Sequence, residues 1–220
     1  KRIADAGLTV ESAIGFARWI VDDPTERQQA LRNAERDMRA LKTIGGSRIA
    51  APPVGAIGPI DLDVIAERYR ALLEIGENVG VVPQLELWGH SPAIHRLSQL
   101  VYIATATGHP RACLLPDVYH IYKGGSDYNG LGLIAGDRIH VFHINDYPAH
   151  PPREQIGDEH RVYPGDGIAP IAQIVRDLYG TGFRGAFSLE LFNRTYWQQD
   201  PLEVARTGLQ KMRDAVQSGT

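Results

Sequence analysis

The chain has 220 residues, of which 43% are hydrophobic and 22% charged, an ordinary globular composition that is ample for one core. The formal net charge of −3 argues against a general nucleic-acid or anionic-membrane surface, and no apolar run approaches the ~20 residues of a membrane-spanning helix. The single cysteine, Cys113, excludes an internal disulfide.

The first half of the chain alternates helical and strand-like segments. Residues 1–8 are typical of the end of a helix closed by Gly7. The predicted elements that follow are a strand over 9–15, a helix from 23–25 to about 44, a strand over 47–52, a helix from about 62 to 80 and a strand over 81–88. Ser91 and Pro92 then predict an N-cap and first turn for a helix that stops at Gly108.

The second half continues the alternation. It predicts strands over 112–117, 139–146 and 188–193, a glycine-rich loop at 123–126, a short helix near 127–135, a polar loop over 146–167, a helix over 168–179 and a last helix capped by Asp200 and Pro201. Strands separated by helical crossovers are typical of a parallel α/β sheet.

The number of strands bears on the fold class. We count six strands, whereas a (β/α)₈ barrel has eight and typically takes ~250 residues. An open six-strand sheet would leave apolar edges. We therefore predict one barrel domain over 1–220 that lacks its first one or two βα units in this sequence. A doubly wound open sheet is the alternative, less favoured because no GxGxxG-type turn follows a strand.

Four strand-like segments each end on a side chain of metal-ligand type. These are Glu86, Asp117, His143 and Glu190. A charged group on a buried strand is costly unless a metal or a partner holds it, and α/β folds place their sites at the carboxyl ends of strands. Three carboxylates and one imidazole suit Mn²⁺, Mg²⁺ or Co²⁺ and do not exclude Zn²⁺. The pattern predicts one divalent ion.

The same segments resemble a known family, the xylose isomerase-like barrels of the sugar phosphate isomerase/epimerase group. The matching segments are Leu85-Glu-Leu87, Asp117-Val-Tyr-His120, His143-Ile-Asn-Asp146, His160-Arg-Val-Tyr-Pro-Gly-Asp-Gly167 and Ser188-Leu-Glu-Leu-Phe-Asn193. Their spacing is most similar to the inosose isomerases of inositol catabolism. The resemblance implies a metal-dependent barrel in which two glutamates, here Glu86 and Glu190, also move protons.

Five further residues are candidates for substrate contact. His120 follows Asp117 by three residues, and Arg161 lies in the long polar loop, where it could meet a substrate oxygen. Asp146 is predicted to support the ligands or the loop as well as the substrate site. Trp88 and Trp197 are candidates for the pocket wall, because sugar rings pack on aromatic faces. The alternatives are a surface arginine and core tryptophans.

The sequence predicts a divalent-metal-dependent isomerase or epimerase of a keto-polyol or sugar, acting through an enediolate. A dehydratase of the dehydroshikimate type on the same site is the first alternative. A non-catalytic sugar-binding protein and a metal-dependent hydrolase are less favoured, since a hydrolase of this fold needs more histidines at strand ends.

The predicted partner is a small polyol or sugar, and neither a nucleic acid nor a membrane is expected. Assembly into a homo-oligomer is left as an open alternative. We expect a cytoplasmic protein. Because the first residue is Lys1 rather than Met, the lack of a visible targeting segment carries little weight.

Overall fold

The fold is taken from a computed structural model that describes residues 2–220, so that Lys1, the first residue of the predicted helical segment, lies outside the described residues. The chain divides into two compact units, the first ending at Leu115 and the second spanning Pro116–Thr220. The single domain predicted from the sequence stays a prediction. Six strands are found within residues 2–220, in agreement with the sequence.

The first unit contains a four-stranded parallel sheet. Its strands are β1 (Ala13–Ile14), β2 (Arg48–Ala51), β3 (Val82–Glu86) and β4 (Leu114–Leu115), in that spatial order. The register pairs Ala50 with Gln84 and Leu85 with Leu114. Parallel neighbours joined by helices are the arrangement that the alternating sequence predicted.

Four helices belong to this unit, and their ends follow the capping signals of the sequence. They are α1 (Arg2–Asp5), α2 (Pro24–Thr43), α3 (Leu62–Val79) and α4 (Leu97–Ala106). The Asp23 side chain accepts a hydrogen bond from the Glu26 backbone N–H, and Gly80 ends α3 with a φ of 79°. Helix α3 packs against α2 and α4 and buries Tyr69, whose hydroxyl lies 2.9 Å from the Pro83 carbonyl oxygen.

The predicted start of the fourth helix is wrong. The Ser91 hydroxyl does accept hydrogen bonds from the backbone N–H groups of Ala93 and Ile94, as an N-cap would. The backbone does not continue as a helix, however, and α4 begins only at Leu97. There the Gln99 side chain accepts from the Arg96 N–H and supplies the real cap. Ser91 was correctly identified as a capping residue, but no helix continues from the residues that it caps.

The second unit contains the parallel pair β5 (Val141–His143) and β6 (Ala186–Ser188). Asp117 lies beside β5 through a parallel bridge to His143. The helices are α5 (Val118–Lys123), α6 (Ile171–Gly180) and α7 (Pro201–Gly219), with short 3₁₀ turns at Tyr128–Leu133, Gly136–Arg138, Asp158–His160 and Tyr196–Gln198. Helix α6 packs against α7 and buries Ile174 and Leu178.

Three elements of this unit differ from the prediction. Helix α5 was not predicted, because its residues fall between the strand predicted over 112–117 and the glycine-rich loop at 123–126. Strand β6 ends at Ser188, where the strand predicted over 188–193 was expected to begin. Helix α6 begins at Ile171 rather than Ile168, because the backbone N–H of Ala169 is bonded to the Asp146 side chain and the loop continues to that point. Among the described residues, no helix is long and apolar enough to cross a membrane.

Candidate active site

The four predicted metal ligands all lie at the carboxyl ends of strands. Glu86 is the last residue of β3, and its side chain is buried within the first unit. Asp117 comes two residues after β4, His143 is the last residue of β5, and Glu190 lies two residues beyond β6. Asp117, His143 and Glu190 belong to the second unit. That Glu86 binds the same metal ion as these three residues stays a prediction.

The second unit brings its three predicted ligands together. His143 Nδ1 lies 3.5 Å from Glu190 Oε2 and 3.7 Å from Asp117 Oδ2. Asp117 is fully buried and His143 nearly so, while Glu190 keeps 15% of its side chain exposed. We call Asp117, His120, His143, Arg161 and Glu190 the Asp117 cluster.

Asn145, for which no role was predicted from the sequence, holds Asp117 in place. Its side-chain N–H donates to Asp117 Oδ2 at 2.9 Å, and its carbonyl oxygen accepts from the Tyr119 backbone N–H at 3.0 Å. The side chain is fully buried. In the strand predicted over 139–146, Asn145 lies two residues after His143 and so on the same face, and this is the signal that could have identified it.

Helix α5 explains how Asp117 and His120 come to face the same point. Asp117 is the N-cap of this helix, and its Oδ1 accepts from the His120 backbone N–H at 2.8 Å. The capping bond leaves Oδ2 directed at the cluster. His120 Nε2 lies 2.9 Å from Arg161 Nη2, and since a guanidinium only donates, Nε2 is the acceptor. The observed role of His120 is therefore to accept a hydrogen bond from Arg161.

Arg161 is a buried residue, so the surface-charge alternative is wrong. Its side chain is 1% exposed. Nη1 donates to Glu190 Oε2 at 2.8 Å and to Asp117 Oδ2 at 3.3 Å, while Nη2 also pairs with Asp158. Burial alone lowers the pKa of this guanidinium, but the surrounding carboxylates, Asp117 first, raise its pKa above the usual arginine value. It remains a cation at every working pH.

Two aromatic rings flank the Arg161 guanidinium. Its carbon Cζ lies 4.5 Å from the centre of the Tyr119 ring and 5.1 Å from that of Phe192. Asn193 donates from its side chain to the Arg161 carbonyl oxygen at 3.0 Å. The rings restrict the plane of the guanidinium and Asn193 holds its backbone, so Arg161 is placed with little freedom. No roles were predicted from the sequence for Asp158, Phe192 or Asn193.

Asp146 anchors the long loop that carries Arg161. Its Oδ2 accepts from the backbone N–H groups of Gly165 and Gly167, and its Oδ1 from those of Tyr147 and Ala169, at 2.8–3.1 Å. A Cβ at Gly167 would lie 2.3 Å from Oδ1, so glycine is required there. The predicted loop-supporting role fits these contacts. The predicted substrate contact lacks support, because all four hydrogen bonds come from backbone groups.

A tyrosine pair lies at the same anchor. The Tyr128 hydroxyl donates to the Val118 carbonyl oxygen at 2.9 Å, so the Tyr147 hydroxyl, 2.9 Å away, donates to Tyr128. The Tyr147 ring stacks on Tyr122 at a centroid distance of 3.9 Å. Burial raises the pKa of Tyr147 to about 12 and also raises that of Tyr128. This pair connects the loop to α5 and to the 3₁₀ turn that follows it.

The two predicted tryptophans are placed differently. Trp88, in the first unit, is half-buried and stacks on His90 with ring centres 5.4 Å apart. Trp197, in the second unit, is 64% exposed, so core packing is excluded for it. Contact of either ring with a substrate stays a prediction.

The Asp117 cluster fits a divalent ion. Atoms bonded to one ion at about 2.0–2.3 Å lie about 3–4 Å from each other, and the distances from His143 Nδ1 to Asp117 Oδ2 and to Glu190 Oε2 meet this requirement. Two carboxylate oxygens and one imidazole nitrogen are a donor set suited to Mn²⁺, Co²⁺ or Zn²⁺. His120 offers a further nitrogen within 4.8 Å of the carboxylate oxygens, although Arg161 occupies its Nε2.

Comparison with known proteins supports the resemblance drawn from the motifs. Residues 1–215 match the profile of the xylose isomerase-like TIM barrel family. The chain belongs to this family. The predicted fold class, an α/β barrel of the xylose isomerase type, is thereby confirmed.

Curated relatives include two inosose isomerases. That of Bacillus velezensis is 30% identical over 178 residues, which cover 77% of this chain and 62% of the relative. That of Bacillus subtilis is 28% identical over 191 residues, which cover 81% of this chain and 66% of the relative. The chain thus spans somewhat less than two thirds of the length of these relatives.

A solved structure agrees with the family assignment at the level of the fold. The IOLI protein, crystallised with a binding zinc atom, superposes with a TM-score of 0.91 at 22% identity, covering 100% of this chain and 82% of that one. At this identity the likeness establishes the fold alone.

Proposed function

We propose that this protein is a divalent-metal-dependent isomerase or epimerase of a keto-polyol or sugar, with an inosose as the first candidate. The observation that carries the proposal is that Asp117 Oδ2 and Glu190 Oε2 both lie within 3.7 Å of His143 Nδ1. Its support is the family membership together with relatives that are named inosose isomerases.

The ligands that we propose are Asp117, His143 and Glu190, joined by Glu86 as the sequence predicts. A divalent ion held there would act as a Lewis acid that stabilises negative charge on the oxygens of a hydroxyketone. Asp117 is the ligand held most firmly, because Asn145 and the first turn of α5 bond both of its oxygens. Such support fixes the direction of a ligand and raises the affinity of its site.

Glu86 and Glu190 are the proposed proton-transfer pair. One carboxylate removes the proton from the carbon beside the carbonyl, and the resulting enediolate receives a proton at the neighbouring carbon or on the other face of the same carbon. Isomerisation follows in the first case and epimerisation in the second. Glu190 is suited to this task because 15% of its side chain is exposed, whereas Asp117 is fully buried.

Arg161 is proposed to hold a substrate oxygen beside this pair, with His120 supporting it. Arg161 is a permanent cation with a restricted plane, and it donates toward the same point at which the carboxylates meet. His120 accepts from Arg161 and so fixes the orientation of the guanidinium. A positioned cation of this kind stabilises the charge that develops on an enediolate oxygen.

An activity screen tests the proposal. Keto-inositols, ketohexoses and dehydroshikimate are each supplied with Mn²⁺, Mg²⁺, Co²⁺ or Zn²⁺, and deuterium uptake from D₂O into the substrate is followed by NMR. We expect turnover of a keto-polyol with deuterium on the carbon beside the carbonyl. Loss of water from dehydroshikimate would favour the dehydratase instead, and binding of sugars without exchange would contradict an enzymatic role.

A further inference from the structure

The Arg161 guanidinium and the proposed metal ligands use the same oxygen atoms. Nη1 lies 2.8 Å from Glu190 Oε2 and 3.3 Å from Asp117 Oδ2, the two oxygens that converge on His143 Nδ1. A cation held at hydrogen-bond distance lowers the negative potential that these oxygens present to a second cation. The arginine therefore acts against the binding of a divalent ion.

Asp158 acts on the other side of the same guanidinium. Its carboxylate pairs with Nη2, three residues away along the 3₁₀ turn, and keeps 38% of its side chain exposed. The carboxylate offsets part of the charge of Arg161 at Nη2, so that less of this charge acts on Asp117 and Glu190. Because Asp158 is partly hydrated, its direct effect on an ion is screened more strongly than its effect on the guanidinium it touches.

We infer that Arg161 and Asp158 form a charge pair that sets the metal affinity of the Asp117 cluster, with Arg161 opposing the ion and Asp158 restraining Arg161 as a positioning residue. The inference rests on the proposed metal site. It assigns to Asp158 a role that neither the motifs nor the family resemblance indicate. A site tuned in this way holds its ion less tightly than its carboxylates would allow and keeps a cation beside the substrate.

Metal affinity measured by competition with a chromophoric chelator tests the pair, with Mn²⁺ and Zn²⁺ as probes. Arg161→Gln removes the charge and keeps a donor. We expect it to bind either ion roughly tenfold more tightly than the wild type, since one charge-assisted hydrogen bond changes an equilibrium constant by about that factor. Arg161→Lys keeps the charge and should stay nearer to the wild type, and it provides a folded variant if the glutamine variant is unstable.

The double-mutant cycle identifies the role of Asp158. Asp158→Asn should weaken metal binding roughly threefold to tenfold in the wild-type background. The positive charge of Arg161 is then no longer offset by Asp158, and it lowers the negative potential at Asp117 and Glu190 more strongly. In the Arg161→Gln background the same substitution should change the affinity by less than about twofold. Equal effects in both backgrounds would mean that Asp158 acts directly on the ion, and would overturn its role through Arg161.

Arg206 and Glu203 provide the matched control. They form another i,i+3 pair in the second unit, and both side chains are 65% exposed. Arg206→Gln and Glu203→Gln should leave the metal affinity unchanged, which separates a local effect from one of net charge.

The failure of this inference can be told apart from that of the proposed function. A wild-type protein that binds neither ion would refute the metal site itself and the charge pair with it. A wild type that binds an ion, together with an Arg161→Gln variant of equal or weaker affinity, would refute the charge pair alone.

Discussion

Asp117 and Asp146 are two fully buried aspartates in the same unit, and their surroundings differ. Asp146 accepts four hydrogen bonds, all from backbone N–H groups of its own loop. Asp117 accepts one hydrogen bond from the backbone, and its Oδ2 accepts from the side chains of Asn145 and Arg161. Side-chain donors can be rearranged around a ligand, whereas backbone donors are fixed by the fold.

This difference explains why burial alone does not identify a functional carboxylate. Both aspartates follow strand-like segments, and both belong to motifs of the family. The bonds of Asp146 hold together the ends of the loop that carries Arg161, so its contribution is to the free energy of folding. Asp117 lies beside His143 and belongs to the proposed metal site, so its proposed contribution is to metal binding. Substitutions at the two places should therefore separate activity from stability.

The largest effect is expected at Glu190. Glu190→Gln keeps the shape and one oxygen ligand but removes the base, so kcat should fall roughly 10²–10⁴-fold. The fold should persist, since the residue is partly exposed and lies beyond the end of β6. Initial rates on the substrate identified by the screen measure the loss.

Glu86→Gln should reduce kcat to a similar extent, and Glu203→Gln on the exposed face of α7 is the control for both. If a metal-bound glutamine variant still exchanges deuterium at the wild-type rate, the two glutamates are ligands and not the acid and base.

Asp146→Asn should cause the next largest effect, on stability. The amide keeps one acceptor oxygen and turns an N–H₂ group toward backbone donors, so the free energy of unfolding should fall by about 2–4 kcal/mol. Urea unfolding measures the change. Compared with Asp146→Asn, Asp117→Asn should lower the free energy of unfolding by less and weaken metal binding by more. The comparison between the two aspartates fails if the two variants lose both properties to the same degree.

Arg161→Ala should give a smaller effect, on substrate use. We expect kcat/KM to fall roughly 10–100-fold, because a charge-assisted contact to the substrate is removed while the proposed metal ligands remain. Steady-state kinetics at saturating metal provide the measurement, and metal analysis of the same sample provides the control. Unchanged kinetics would leave Arg161 with a structural role only.

The smallest effect concerns the tyrosine pair at the loop anchor. The pKa of Tyr147 is raised by burial to about 12, above the ~10 of an unfolded tyrosine. Its neutral form therefore adds stability that is complete below pH ~10 and is lost as the pH rises toward ~12. In Tyr147→Phe, unfolding free energies should be about 1 kcal/mol lower at neutral pH and should depend less on pH above ~10. Equal slopes in both proteins would contradict this assignment.

Much of the fold was predictable from local signals. The N-caps at Asp23 and Asp200 and the glycine after α3 place three helices to within a residue or two, because capping is a short-range interaction. Glu86 and His143 are each the last residue of a strand and Asp117 lies two residues after one, close to the prediction, whereas the strand predicted to contain Glu190 ends at Ser188. These residues interrupt apolar runs, which is visible without tertiary information.

The contacts that complete the site were not predictable in this way. Helix α5 is only six residues long and carries no clear periodicity, so its capping by Asp117 is evident only in the structure. The role of Asp158 depends on its pairing with a buried arginine, and that of Asn193 on a bond to the backbone 32 residues away. A long loop that folds back on itself leaves no periodic pattern in the sequence.

Metal content is the most direct test of a metal centre built on Asp117, His143 and Glu190. Wild-type protein, Asp117→Asn and His143→Gln are each equilibrated with Mn²⁺ or Zn²⁺, freed of excess ion and analysed by inductively coupled plasma mass spectrometry. The account predicts about one ion per chain in the wild type and a large loss in both variants, with the fold retained by circular dichroism. A wild type without stoichiometric metal, or variants that retain it in full, would contradict a metal centre built on Asp117, His143 and Glu190.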